Sequence, residues 1–156
     1  ERKRREFHHQ VAQGIERLYQ ERIEEYYEEL AEHYSKSDDL QKAIEYMLKA
    51  GEKAKKSYAN DTAISYYQRV LDMLEEHNIE NNEWKLEALK GLGEVYHRID
   101  KIDEAESSFK QAIEIAKEMK LNPRQIAKLH FWISETIWWQ ARYSDIINYA
   151  KIGLEF

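Results

Sequence analysis

Leu92-Gly93-Glu94-Val95-Tyr96, followed by Ala105, Phe109 and Ala112, is the stretch that decides the fold. A large apolar residue precedes a small one, and a second large residue falls three later. Three and four are the spacings that keep side chains on one face of a helix. The same order occurs in Leu30-Ala31-Glu32-His33-Tyr34 with Ala43 and Met47, and in Ile133-Ser134-Glu135-Thr136-Ile137 with Ile146, Ala150 and Gly153. A weaker copy is Ala50-Gly51-Glu52-Lys53-Ala54 with Ala63, Tyr67 and Val70. In every copy the residue twelve after the small one is Ala43, Ala63, Ala105 or Ile146. The small residues let the first helix of a pair approach the second closely, and aromatics such as Tyr34, Tyr96 and Phe109 fill the space between neighbouring pairs. One hairpin cannot bury all of this surface, so the pattern requires stacking.

Outward from this stretch the periodicity is helical throughout. It predicts eight helices over about 3–19, 21–35, 39–57, 60–77, 83–99, 102–119, 123–140 and 143–155. The first carries Phe7, Val11, Ile15 and Leu18 on one face. Asp38 or Asp39 is placed to cap the third helix, because a carboxylate accepts from unpaired amides there. Asn122 followed by Pro123 reads as a cap with proline at the first helical position. The 156 residues include one Pro, five Gly and no Cys. Disulfide frameworks and Cys-based metal sites are excluded, and the turns of a β-sandwich are not provided for. No apolar run approaches the roughly 18 residues of a membrane span. The net charge of −6, spread over mixed signs, argues against nucleic-acid binding. The chain starts Glu1-Arg2-Lys3-Arg4-Arg5 without a Met, and its abrupt ends read as those of a piece of a longer protein of the cytoplasm.

Leu92-Gly93-x-x-Tyr96 with Ala105, Phe109 and Ala112 resembles the tetratricopeptide repeat. The resemblance implies an all-α, right-handed solenoid of antiparallel helix pairs occupying 1–156 as a single domain. Within it, 1–20 is a leading helix, 24–77 holds overlapping repeats, 86–119 is the best-matching repeat and 127–156 is a truncated one. Ala63 and Ala105 are 42 positions apart, and Ala105 and Ile146 are 41 apart, longer than the repeat's usual 34. That longer period is similar to the repeats of MalT-type regulatory ATPases. Ala43 and Ala63 are only 20 apart, so the helix over 39–57 serves two successive pairs. Residues 1–77 are also similar to the helical arm that follows the ATPase module in signalling ATPases, many of which carry a class III nucleotide cyclase. The chain itself holds no Gly-rich phosphate loop.

Chemistry-bearing constellations are sparse. His8 and His9 are adjacent and point to different helix faces, and His33, His77, His97 and His130 stand apart, so no metal-ligand spacing exists. There is no nucleophile elbow, and Glu24-Glu25 and Glu28-Glu29 read as solvated faces. Arg2-Lys3-Arg4-Arg5 is flanked by Glu1 and Glu6 and reads as a solvated helix start. No cofactor and no catalytic residue are implied.

The resemblance places the residue after each small one in a concave groove: Glu32, Glu52, Glu94 and Glu135. Groove neighbours are Glu28, Ser35 and Lys36; Leu48, Lys55 and Lys56; Lys90, His97 and Arg98; and Phe131, Trp138 and Trp139. The family's clamp for a peptide carboxylate uses Asn and Lys, and glutamate would repel that carboxylate. A ligand with basic or amide groups and an apolar anchor fits better, although Glu is also a common helix former. Phe131, Trp132, Trp138 and Trp139 are either binding anchors or the face on which a further repeat or a second copy packs. The reading is a protein- or peptide-binding arm of a signalling ATPase, with a self-assembly scaffold and a small-molecule effector domain as the other classes.

Overall fold

The computed structural model describes residues 1–138 and 143–154. Among them there is no strand. Eight α-helices follow in order: α1 Arg2–Leu18, α2 Tyr27–Ser35, α3 Leu40–Lys56, α4 Asn60–Glu76, α5 Asn82–Arg98, α6 Ile102–Glu118, α7 Pro123–Trp138 and α8 Tyr143–Leu154. The all-α, tetratricopeptide-like architecture expected above is the one observed. One boundary differs. The second helix does not start at the break after α1, because Gln20–Tyr26 forms 3-10 turns interrupted at Arg22, whose φ of −138° is not helical. Runs of i→i+3 bonds are poor and rarely persist beyond 3–4 residues, so this segment bends before α2.

The chain divides into two compact units, Glu1–Ile79 and Glu80–Phe156. In the first, α3 packs against both α2 and α4. It therefore serves two pairs, as the 20-residue spacing implied, and its buried set runs round the helix: Ala43, Ile44, Met47, Leu48, Ala50 and Ala54. In the second unit α5 pairs with α6, α6 packs on α7, and α7 pairs with α8.

Two of the hairpins close on a glycine. A Cβ added to Gly93 would lie 2.6 Å from the Phe109 ring, and one added to Gly51 would lie 3.0 Å from the Tyr67 ring. The rings thus rest on their own pair's glycine. Phe109 also reaches the next pair, stacking on Trp132 with centroids 6.0 Å apart. Tyr34 stacks on Tyr46, whereas Tyr96 is only half-buried and lies beneath the Lys101 ammonium.

The helix ends are capped locally. Asp39 accepts from the Lys42 amide at 3.1 Å, Asn81 from Trp84 at 3.0 Å and Asn122 from Gln125 at 3.1 Å. The C-termini of α3, α4, α5 and α6 share one ending. Tyr58, Asn78, Asp100 and Lys120 take positive φ. The next amide then bonds back five residues, as Ala59 to Ala54, Ile79 to Leu74, Lys101 to Tyr96 and Leu121 to Ala116. This is the Schellman arrangement, made here without glycine.

α1 docks differently from its apolar stripe. Phe7 and Leu18 are exposed, and Ala12 is the one residue of α1 that is fully buried. Polar contacts set the docking face. The Glu16 carboxylate accepts from the Tyr34 hydroxyl at 2.9 Å, Lys42 Nζ at 2.8 Å and the Tyr46 hydroxyl at 2.5 Å. Burial pushes the Glu16 carboxyl up, but these three donors outweigh it and hold it below the usual range. His8 and His33 share a hydrogen bond at 3.0 Å between their Nδ1 atoms.

Two predictions follow from these contacts. Gly93→Ala should lower the urea-unfolding stability by about 1–3 kcal/mol through overpacking, despite alanine's roughly 1 kcal/mol better helix propensity. Gly51→Ala should cost less, and an equal or stabilising effect of both would refute the ring-on-glycine account. The second concerns acid. Desolvation, with the nearby charges of His33, Lys36 and Arg4, holds His8 below the ordinary value of 6.5, and Glu32 offsets this in part. The unfolded chain therefore binds the proton more readily, so stability is full above pH 6.5 and falls as pH drops below it. His130, desolvated in α7, acts in the same direction. The urea midpoint should fall between pH 7.5 and 5.5, and His8→Gln should reduce that fall.

Candidate functional site

The predicted groove residues lie on first helices of pairs, and the structure distributes them over the two units. On α2, exposed Glu32 makes an ion pair with Lys36 one turn on. That hydrogen bond holds the Glu32 carboxyl below its usual range against partial burial. On α3, half-buried Glu52 binds Lys55 at 2.8 Å, Lys56 at 3.7 Å and the Tyr67 hydroxyl at 3.2 Å. Burial pushes its carboxyl up, and the Lys55 and Tyr67 contacts more than offset that. Leu48 is buried in the core.

Two residues of α4 join this face that the sequence reading passed over. Tyr66 is half-buried, and its hydroxyl is raised first by burial and then by the Glu28 charge. Arg69 acts on both Tyr66 and Glu32, while Lys53 pairs with Glu28 at 3.5 Å. The face of α2 is thus charge-balanced. Tyr66 and Arg69 sit three apart on one side of α4, which is the only sequence signal they carried.

In the second unit, Lys90 and Arg98 on α5 are exposed, and Glu94 is half-buried and engaged. His97 is turned into the packing of α5 on α7. The Thr136 hydroxyl donates to the Trp132 carbonyl at 2.7 Å and lies 3.1 Å from His97 Nδ1. Its single proton is used, so His97 Nδ1 carries the hydrogen and donates to Thr136. The His97 ring also meets Trp132 edge-on, at 5.5 Å between centroids. On α7, Phe131 and Trp138 are 58% and 56% exposed, and Glu135 between them is exposed. Trp139 lies outside the described residues. Among the described residues no cluster of His, Asp or Glu is arranged to hold a metal ion, and no helix is long and apolar enough to cross a membrane.

Residues 59–118 match the family model of the tetratricopeptide repeat. No curated protein matches the chain. The matched segment covers α4, α5 and α6, including the Gly93–Phe109 hairpin that first suggested the tetratricopeptide pattern. Repeats of that family commonly mediate protein–protein interaction and are generally non-catalytic.

His97→Ala should lower the stability of the chain by about 1–2 kcal/mol, because it removes a donor and a ring contact between α5 and α7. His97→Asn, which keeps an amide donor, should lose less. Equal urea midpoints for wild type and both variants would show that the His97–Thr136 contact holds nothing together.

Proposed function

We propose that this chain is a protein- or peptide-interaction module that acts as the regulatory or sensory arm of a larger cytoplasmic signalling ATPase. The observation that carries the interaction reading is the tetratricopeptide match over 59–118, joined to first-helix faces that stay solvent-exposed while the hairpin interiors are filled. The ATPase part rests on the likeness of residues 1–77 and on the 41- and 42-residue spacing of the repeat. The candidate binding residues are Glu32, Lys36, Glu52 and Lys55 in the first unit and Lys90, Glu94, Arg98, Phe131, Glu135 and Trp138 in the second, with Trp139 as a further candidate. No bond is made or broken by this chain. A partner that prefers one arrangement of the arm shifts its equilibrium, by as much as its affinities for the two arrangements differ.

The test is a screen of displayed 15-residue peptides, with binding sites located by amide chemical shifts. Binders should perturb the exposed residues of α2, α3, α5 and α7, and Glu94→Lys with Glu135→Lys should weaken them about tenfold. Binding unchanged by the double reversal removes the groove. Concentration-dependent self-association with no peptide bound points instead to a scaffold, and a thermal shift with a metabolite alone points to an effector domain.

A further inference from the structure

Three of the four repeat acids have a cation four residues further along the same helix, and two of them are seen to pair with it. Glu32 pairs with Lys36, and Glu52 pairs with Lys55 and Lys56. Arg98 stands four residues after Glu94, the spacing and direction that favour such a pair. The fourth acid breaks the pattern. Three and four residues after Glu135 the chain has Trp138 and Trp139 instead of a cation. Glu135 is exposed and takes no hydrogen bond or ion pair from a described residue.

What surrounds Glu135 is aromatic. Phe131, Glu135 and Trp138 follow at i, i+4 and i+7, so they form one stripe along α7. At a rise of about 1.5 Å per residue, Phe131 and Trp138 are roughly 10 Å apart along the axis. A cation midway between them would lie about 5 Å along the axis from each residue, inside the roughly 6 Å over which an aromatic ring attracts a cation. Phe131 is held in place. It meets Trp132 edge-on with centroids 6.3 Å apart, and Trp132 is stacked on buried Phe109 and braced by His97. The carboxylate supplies the charge and two acceptors for a planar guanidinium.

We propose that the Phe131–Glu135–Trp138 stripe of α7 is a docking site for an arginine side chain of a protein partner, lodged between the two rings with Glu135 as its counter-ion. This rests on the interaction reading above and names the partner chemistry at one of its faces. Aliphatic residues beside that arginine would cover the exposed Phe131 edge. The unpaired acid argues for a cationic occupant over a purely apolar one, which would leave Glu135 desolvated without a partner.

The test uses two Trp-free peptides, one with a central arginine flanked by leucines and one with citrulline in its place. Binding is followed by the shifts of the α7 amides and of the Trp132 and Trp138 indoles. The arginine peptide should bind more tightly than the citrulline peptide. Glu135→Gln and Phe131→Ala should each weaken it by about tenfold. Glu118→Gln, an equal loss of charge at the end of α6, should leave it unchanged. Equal weakening by Glu118→Gln would mean attraction by net charge alone and would overturn the proposal. So would equal affinity for citrulline, or no binding at millimolar peptide. Shifts confined to α2, α3 or α5 would overturn this site while leaving the wider interaction reading standing.

Discussion

The close approach of two helices at a glycine is the constraint on which the rest of this chain depends. With 2.6 Å between a would-be Cβ of Gly93 and the Phe109 ring, α5 and α6 can approach as they do only if position 93 carries no side chain. The same ring then serves twice, because its far side stacks on Trp132 of α7. One buried aromatic therefore sets the spacing inside a pair and positions the next first helix. In the first unit Tyr67 has the equivalent seat on Gly51 and adds a polar tether from its hydroxyl to Glu52. Packing at close-packed density transmits such constraints, since neither ring has free volume to move into.

The scarcity of glycine acquires a physical meaning from this. Helices commonly end on a glycine in the left-handed region, yet α3 to α6 end on Tyr58, Asn78, Asp100 and Lys120. A non-glycine residue there costs roughly 1–2 kcal/mol of backbone strain. The six-to-one and five-to-two hydrogen bonds at each end offset that cost, and Lys101 seated over Tyr96 replaces the usual apolar contact at the end of α5. Gly51 and Gly93 thus stand where an absent side chain is needed inside the helix pairs, and the helix ends manage without any.

Hairpin interiors were legible in the sequence because their code is local. A small residue, a large one three later and an alanine twelve later are properties of one chain segment, and Leu30, Ala31, Ala43 and Met47 are all fully buried as that code implies. The α1 face was not legible for the opposite reason. Its apolar stripe named Phe7 and Leu18, but the helix is rotated toward three donors on α2 and α3 that converge on Glu16. Those donors are 18, 26 and 30 residues away in sequence. The 3-10 turns before α2 also escaped, since residues 20–26 have no helix breaker. Of the candidate site, the four repeat acids were readable as a recurrence. The inward turn of His97 required knowing that Thr136 of α7 would face it.

Charge recurrence and charge availability are different quantities, and the difference decides where a partner can gain most. Glu32 and Glu52 recur with Glu94 and Glu135, but a carboxylate already holding one or two ammonium groups offers little to an incoming cation. Breaking the existing contact costs about what the new one returns. Recurrence by itself is thus explained by helix economy, since Glu followed by Lys four later stabilises a solvent-facing turn. The departure at the fourth copy has no such explanation. An acid between two exposed rings at 131 and 138, with tryptophan where the other copies place lysine or arginine, forgoes the helix-stabilising pair and leaves apolar surface in water. A surface that pays on both counts in the free state recovers both when a cation with aliphatic neighbours covers it, which is the physical argument for placing the proposed arginine contact on α7.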